Sequence, residues 1–253
     1  MSDELHQTRG RTFGRENASL RIVIFHGLTS SPDEFVPLAQ RLAIKFDAFV
    51  TVPLLPGHGT AERDLLRVSF DELLRSARAT VREQASQASH LILIGNSLGG
   101  FLALLCADIQ KPAAIVISTT PYILRPRFRR PWMPYLMRLR PLWPKEVSLD
   151  ELAARKHLFF YSHMPGNALL LLRDAIRLAR AALPKIASPI LTICNDGDPI
   201  SYPISGQAII DASAPHALSK SIVIKHDSHG LYYGPHKEQV ERDIQAFIIK
   251  VTR

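Results

Sequence analysis

The sequence predicts an α/β fold in which a mostly parallel central sheet carries helices on both faces. Short apolar runs rich in β-branched residues alternate with longer segments of helical periodicity. These runs are continuously apolar, which is typical of parallel strands buried on both faces. With 253 residues, 46% of them hydrophobic, the chain is long enough to bury such a sheet. The predicted strands are residues 21–25, 48–52, 91–94, 113–117, 190–193 and 221–224.

Helical segments separate these strands along the chain. Their clearest start is at Ser69, because Ser69 and Glu72 have the spacing of a capping box, in which each side chain bonds the other residue's backbone amide. Alternating strands and helices favour right-handed crossovers and hence a parallel sheet. The predicted helices are residues 32–45, 69–86, 98–109, 203–211 and 236–251.

One interval, from residue 120 to residue 183, interrupts this alternation. It contains no convincing strand and begins with a segment that holds six prolines between residues 121 and 144. Two helix candidates follow, at residues 148–156 and 167–182. We therefore expect a core made of residues 1–119 and 184–253, with residues 120–183 inserted into it as a helical segment.

Composition excludes several classes of protein. No run of 18 apolar residues is present, so no membrane-spanning helix is predicted. Residues 1–15 are polar and lack the apolar core of a signal peptide, which favours a cytoplasmic location. Cys106 and Cys194 lie far apart within apolar runs, which predicts buried thiols rather than a disulfide or a metal site.

The net charge of +8 is concentrated in one part of the chain. Residues 121–145 hold seven basic side chains and no acidic one, whereas the other 228 residues hold 24 basic and 23 acidic side chains. A solvated surface, a weak contact with an anionic membrane surface and an anionic substrate such as an acyl-coenzyme A thioester all fit this cluster. Nucleic acid is not expected as a partner, because no recognition motif accompanies the charge. The seven residues are Arg125, Arg127, Arg129, Arg130, Arg138, Arg140 and Lys145.

The third predicted strand runs into Gly-Asn-Ser-Leu-Gly-Gly at residues 95–100, which is followed by a predicted helix. This is a G-x-S-x-G motif in the strand–turn–helix context of a nucleophilic serine, here Ser97. Small residues on either side let the chain fold back at such a turn. The alternative is an ordinary glycine-rich turn, or a phosphate-binding loop at the start of a helix.

A nucleophilic serine needs a base, and the base needs an acid that holds its tautomer. In the order typical of such hydrolases, the acid and then the base follow the serine along the chain. Asp198 and Asp196 follow the fifth predicted strand, and His226 and His229 follow the sixth. We favour Asp198, because Asp196 beside Gly197 is typical of a turn. Likewise, we favour His229 over His226, which adjoins the strand.

The loop after the first predicted strand reads Phe-His-Gly-Leu-Thr-Ser-Ser-Pro at residues 25–32. The amides of Leu28, in this loop, and of Leu98, after the serine, are candidate oxyanion donors. Gly27 permits the tight backbone that the loop needs. His26 fits either a structural role or proton transfer, and the structural role is favoured because His229 already supplies a base.

Together with Leu-Pro-Gly-His-Gly at residues 55–59, Asp-Pro-Ile at 198–200 and Ser-His-Gly at 228–230, these motifs resemble the α/β-hydrolase superfamily. Within it, the chain is most similar to bacterial serine carboxylesterases and monoacylglycerol lipases, over about residues 22–251. The resemblance implies a helical lid after the sixth strand. It also implies a Ser97–Asp198–His229 triad with Leu28 and Leu98 as oxyanion donors.

The implied activity is hydrolysis of carboxylic esters through an acyl-enzyme, with short- to medium-chain acyl esters or monoacylglycerol as substrates. No metal or cofactor is expected. An acyl thioesterase and a non-catalytic ligand-binding member of the fold are the alternatives. Candidate substrate-binding residues are Gly27, His58, Trp132 and Tyr161.

Overall fold

A seven-stranded sheet forms the centre of the molecule in a computed structural model that describes residues 9–145, 147–225 and 229–252. Its strands are Arg11–Phe13 (β1), Leu20–Phe25 (β2), Phe49–Val52 (β3), His90–Asn96 (β4), Ala114–Ser118 (β5), Ile190–Asn195 (β8) and Lys220–Ile224 (β9). Their order across the sheet is β1-β3-β2-β4-β5-β8-β9. All neighbours are parallel except β1, which pairs antiparallel with β3 at one edge. The α/β class with a mostly parallel sheet is thereby confirmed.

Helices cover both faces of this sheet, as the continuously apolar strands predict. Successive residues of β2 point to opposite faces: Val23 joins one buried cluster and Ile24 the other. The helices of the core are Val36–Phe46 (α1), Phe70–Ala85 (α2), Leu98–Leu105 (α3), Ser205–Ala212 (α8) and Lys237–Val251 (α9). The first cluster contains side chains of α2 and α3, and the second contains side chains of α1 and α9. The central strands are therefore closed off from water on both sides.

Most predicted elements are found within two residues of their expected bounds. The capping box at Ser69 is present, with reciprocal bonds between Ser69 and Glu72. Strand β1 was not predicted, because Arg-Thr-Phe at residues 11–13 has no apolar run. The helix expected over residues 98–109 ends at Leu105, and the segment expected from residue 32 begins with a 3₁₀ turn, Pro32–Phe35.

The described part of residues 120–183 contains four helices and two short strands. These are Pro126–Arg129 (α4), Met133–Arg138 (α5), Leu142–Pro144 (β6), Leu149–Ala154 (α6), His163–Pro165 (β7) and Ala168–Ala182 (α7). Strands β6 and β7 pair antiparallel, so the expectation of no strand in this interval was wrong. Three-residue strands that contain proline have no apolar periodicity by which they could be found.

Among the described residues, this insertion leaves the sheet after the fifth strand along the chain, β5, where the resemblance implies a sixth. In that part of the chain, one short strand, β1, comes before β2. Helix α7 packs against α3 and α2, and its buried residues Leu169 and Leu172 belong to the same apolar cluster as α3. The insertion thus shares a core with the sheet's helices.

Both cysteines are buried free thiols, as predicted. Burial raises the pKa of Cys106 to about 12 and that of Cys194 to about 11, so both stay protonated at neutral pH. In the part of the chain that the structure describes, no helix is both long enough and apolar enough to cross a membrane.

Candidate active site

Ser97 lies on the turn between the end of β4 and the start of α3. Its backbone has φ +52° and ψ −115°, a conformation that a residue with a side chain rarely adopts. The turn is possible because its glycines have no side chain: a Cβ on Gly95 would lie 2.2 Å from the carbonyl oxygen of Gly99. A Cβ on Gly99 would lie 2.2 Å from the carbonyl oxygen of Phe25. This close packing leaves Ser97 half-buried between fully buried neighbours.

The three side chains that the sequence orders as nucleophile, acid and base are hydrogen-bonded in series. Ser97 Oγ lies 2.8 Å from His229 Nε2, and His229 Nδ1 lies 2.7 Å from Asp198 Oδ2. A carboxylate beside Nδ1 keeps the proton on that nitrogen, which leaves Nε2 free to accept the serine proton. Asp198 is 2% exposed, whereas Asp196 is on the surface. His226 lies outside the described residues.

Asp198 is held by the backbone of its own loop and by a basic side chain of the insertion. Its Oδ1 accepts hydrogen bonds from the amides of Ile200 (2.7 Å) and Ser201 (3.1 Å). Arg125 donates from Nε to the carbonyl oxygen of Asp198 and from Nη2 to that of Asp196, both at 3.0 Å. One of the seven clustered basic residues therefore stabilises the loop that carries Asp198.

The two candidate oxyanion amides belong to segments that meet at Ser97. Leu98 is the first residue of α3, so its N–H has no acceptor within the helix. A Cβ placed on Gly27 would lie 3.5 Å from Ser97 Cβ, so the loop that contains Leu28 runs directly beside the serine. The Ser97 amide itself donates a hydrogen bond to the carbonyl oxygen of Ser118 at 2.8 Å.

A family model described as the alpha/beta hydrolase family matches residues 22–242 of the chain. The chain belongs to the alpha/beta hydrolase family. The thermostable monoacylglycerol lipase of Bacillus sp. (strain H-257) is 27% identical over 222 residues, which are 86% of this hydrolase and 85% of that relative.

Among solved structures, this hydrolase is similar in fold to a structure described for LipS and LipT, two metagenome-derived lipolytic enzymes. The TM-score is 0.82 at 19% identity, and the match covers 96% of this chain and 98% of that one. The monoacylglycerol lipase of Paleococcus ferrophilus has a TM-score of 0.76 at 19% identity over the same shares of the two chains. At such identities the likeness concerns the fold.

Two buried histidines connect the loops of this hydrolase near Ser97. His26 Nε2 accepts from the Leu55 amide at 3.2 Å, so Nδ1 carries the proton and donates to the carbonyl oxygen of Gly27 at 2.9 Å. His58 Nε2 lies 2.7 Å from the carbonyl oxygen of Leu28, and Nδ1 lies 3.0 Å from that of Pro56. Burial lowers the pKa of both rings and favours their neutral forms.

A neutral imidazole donates one N–H, and the shorter distance assigns that donor in His58 to Nε2. The His58 ring, 2% exposed, therefore positions the peptide that follows Leu28. Both ring nitrogens of His58 face backbone carbonyl oxygens, and its assignment to substrate binding stays a prediction. That assignment relied on loop position, which does not reveal which way a ring points.

The two candidate binding residues that belong to the insertion, Tyr161 and Trp132, lie in different surroundings. Tyr161 is 2% exposed; its hydroxyl donates to the carbonyl oxygen of Gly57 at 3.2 Å and accepts from the Thr60 amide at 3.3 Å. Trp132 is 48% exposed, and its ring lies 5.5 Å from the guanidinium of Arg130. Tyr161 is thus bonded to the loop at residues 57–60 and Trp132 lies beside Arg130, and their roles in substrate binding stay predictions.

Backbone and side-chain bonds fasten the insertion to the loops beside Ser97. The amide of Tyr161 donates to the carbonyl oxygen of Thr29 at 3.0 Å. The Glu62 carboxylate accepts from the amides of Ser162 and His163 and lies 2.7 Å from His163 Nδ1. These bonds hold residues 161–163 to two segments of the core, one at Thr29 and one at Glu62.

Sequence reasoning missed a buried carboxyl group behind the nucleophile. Glu34 is 3% exposed; it accepts from Ser30 Oγ and, at 3.4 Å, from Asn96 Nδ2. It thus connects the loop beside Ser97 with the residue that precedes Ser97. Burial raises the pKa of Glu34 to about 7. A lone glutamate at the start of a helix gives no sequence signal of burial.

Proposed function

We propose that the chain is a serine hydrolase of carboxylic esters that acts through an acyl-enzyme on Ser97. The observation that carries this proposal is the continuous series of hydrogen bonds from Ser97 Oγ through His229 to the buried Asp198. A serine hydroxyl is a weak nucleophile unless an adjacent base takes its proton, and this arrangement supplies the base and its orienting acid.

In the first half-reaction, Ser97 Oγ attacks the ester carbonyl carbon while its proton passes to His229 Nε2. The negative charge that develops on the carbonyl oxygen is stabilised by the amides of Leu28 and Leu98 and by the positive end of α3. As the tetrahedral intermediate collapses, the bond to the alkoxy group breaks. The alcohol leaves with the proton held on His229.

In the second half-reaction, water attacks the acyl group carried by Ser97. His229 accepts a proton from this water, and the intermediate collapses by returning the proton to Ser97 Oγ. The carboxylic acid then leaves and the enzyme is restored. The role of Asp198 is to hold the tautomer of His229 and to stabilise the imidazolium.

For the substrate, we favour uncharged esters with short- to medium-chain acyl groups, including monoacylglycerol. A relative that covers most of the chain is named a monoacylglycerol lipase. The insertion, residues 120–183, carries many apolar side chains and is bonded to both loops beside Ser97. We assign it the role of a lid that covers the acyl group and controls access.

Turnover of p-nitrophenyl butyrate by the wild type and by Ser97→Ala tests the nucleophile. We expect the variant to lose at least ~10³-fold in kcat, because no acyl-enzyme can form without the hydroxyl. Activity that survives unchanged would remove Ser97 from the mechanism. Esters and thioesters matched in acyl chain, from four to sixteen carbons, would then separate esterase from thioesterase activity and define the preferred length.

The choice of acid is tested by two conservative substitutions in one loop. Asp198→Asn should lower kcat by up to ~10⁴-fold, since an amide in this position favours the wrong histidine tautomer. Asp196→Asn, at the exposed neighbour, is the matched control and should change kcat by less than about threefold. The opposite ranking would transfer the role to Asp196.

A further inference from the structure

A concave site lies on the insertion, and Ser97 is not among its lining residues. It encloses about 860 Å³ between residues 122–129 and the carboxyl-terminal half of α7. This volume falls within the range of pockets that bind small organic molecules. None of the three triad residues, all within the described part of the chain, lines it. We call this site the arginine groove.

The interior of the arginine groove is apolar. Leu124 and Ile176 are buried at its base, and Tyr122, Ile123 and Phe128 are half-buried along its wall. The half-buried part of this surface stays in contact with water unless something covers it, and removing apolar surface from water favours the binding of an alkyl chain there. The interior therefore suits a hydrocarbon chain.

The rim of the groove carries four exposed guanidinium groups: Arg129, Arg173, Arg177 and Arg180. The last three stand on one face of α7 because they are three to four residues apart. Among the described residues, the only carboxylate within 4 Å of any of the four is Asp174, 3.6 Å from Arg177. Positive charge thus exceeds negative charge around an apolar interior.

The other contacts given for these arginines, among the described residues, are with uncharged groups. Arg173 donates to the carbonyl oxygen of Pro131 at 3.4 Å, and the guanidinium of Arg180 lies 5.7 Å from the centre of the Tyr122 ring. Neither partner is an anion. A guanidinium group can donate two parallel hydrogen bonds to the oxygens of one carboxylate or phosphate. This rim is therefore suited to one anionic head group.

We propose that the arginine groove binds a single-chain amphiphile with an anionic head: the alkyl chain lies on Leu124 and Ile176, and the head lies between Arg177 and Arg180. Ser97, Asp198 and His229 are not among the residues that line the groove, although Leu124 pairs with Ser201 and Arg125 is bonded to the Asp198 loop. The proposed occupant is accordingly a ligand other than the ester being cleaved. On the proposed function, a fatty-acid carboxylate released by the reaction is one ligand of this kind.

Calorimetric titration of the Ser97→Ala protein with monomeric dodecanoate and with dodecanol tests the proposal without requiring any hydrolysis. On this background, Arg177→Gln/Arg180→Gln should weaken dodecanoate binding at least tenfold and change dodecanol binding by less than threefold. The matched control is Arg75→Gln/Arg242→Gln, which removes two exposed helix-surface arginines elsewhere and should change neither affinity. A parallel titration with dodecyl phosphate distinguishes a carboxylate from a phosphate head.

A second variant fills the groove instead of neutralising it. Ala181→Trp, on the exposed face of α7, should weaken binding of dodecanoate at least tenfold while the melting temperature stays unchanged. Dodecanoate binding that is unaltered by both variants would assign the ligand to the acyl pocket beside Ser97 and overturn the proposal. Dodecanol binding as tight as that of dodecanoate would overturn it too, as would binding of anionic vesicles without any binding of monomeric dodecanoate.

Discussion

At the scale of single residues, the backbone of Ser97 works against the stability of the fold. Its positive φ costs on the order of 1–3 kcal/mol in a residue with a side chain. The strain persists because the Ser97 amide is bonded to Ser118 and because α3 packs directly behind the turn. The strained turn directs the hydroxyl at His229 instead of into the core.

The first prediction separates this strain from the chemistry. Ser97→Gly and Ser97→Ala should both abolish ester hydrolysis, but Ser97→Gly should be more stable to unfolding by about 1 kcal/mol, since glycine adopts positive φ without cost. Urea denaturation of the two variants measures the difference. Equal stabilities would mean that the turn stores no strain.

Glu34 gives a prediction about pH. Its pKa in the folded protein, about 7, lies above the usual 4.5, so the folded state binds its proton more tightly than the unfolded state does. The charged groups that act on it are Lys145 and His229, which lower its pKa, and Glu151, which raises it. Its contribution to the free energy of unfolding therefore falls as pH rises from about 4.5 to about 7, and is level above that.

The variant Glu34→Gln stays neutral at every pH and should escape this loss. Relative to the wild type, it should gain up to about 3 kcal/mol in unfolding free energy between pH 4.5 and pH 8. Urea denaturation of both proteins at the two pH values measures this. A constant difference between the proteins would show that folding does not raise the pKa of Glu34.

At the scale of elements, the crossing of α3 and β2 depends on Gly99. An alanine Cβ there would lie 2.2 Å from the carbonyl oxygen of Phe25, which is backbone and cannot move aside. We expect Gly99→Ala to lower the unfolding free energy by about 3 kcal/mol and to displace Ser97. Gly10→Ala, whose Cβ would meet only ordinary contacts from 3.5 Å, is the matched control and should change stability by less than about 1 kcal/mol. Thermal unfolding of the two variants checks the ranking.

The elements that the sequence predicts well are those whose own pattern determines them. Strand β4 and the glycines beside Ser97 form a local motif, so the position of the nucleophile follows from a few neighbouring residues. The partners Asp198 and His229 follow from their places after two further strands. Strand β1 escapes prediction because its register with β3 is set by pairing across the sheet and not by its own side chains.

Residues whose roles depend on contacts between distant segments could not be found in this way. Arg125 belongs to the basic cluster by sequence, yet it bonds carbonyl oxygens more than 70 residues away. Tyr161 was expected to contact substrate because it is an aromatic residue of the insertion, yet its hydroxyl is bonded to the loop at residues 57–60. Composition indicates what such side chains are able to bind, and the fold decides what they do bind.

At the scale of the whole molecule, the basic cluster is less uniform than its sequence suggests. Arg125 is bonded to the acid's loop, and Lys145 is buried in an ion pair with Glu151 at 2.7 Å. Arg138 and Arg140 are exposed beside Leu139, which is 81% exposed. Arginine interleaved with apolar side chains is typical of segments that lie at a lipid surface. We propose a weak contact of this surface with anionic membranes.

This contact predicts a dependence on both lipid charge and salt. Co-sedimentation with phosphatidylserine-containing vesicles at low salt should exceed that with neutral vesicles, and high salt should remove the difference. Arg138→Gln/Arg140→Gln should weaken binding about tenfold or more, at roughly 1 kcal/mol for each charge near the surface. Equal binding to both vesicle types would leave the cluster as a solvated face.

The hydrogen bonds from the amides of residues 161–163 to Thr29 and Glu62 also make it possible to measure how often this segment opens. If residues 161–163 move away from these two segments together, the three backbone amides lose their acceptors at the same time, and their protons exchange with solvent deuterium at one shared rate. In the limit where exchange follows every opening, that rate equals the frequency of opening. For an enzyme that must open once in each catalytic cycle, it is an upper limit on kcat.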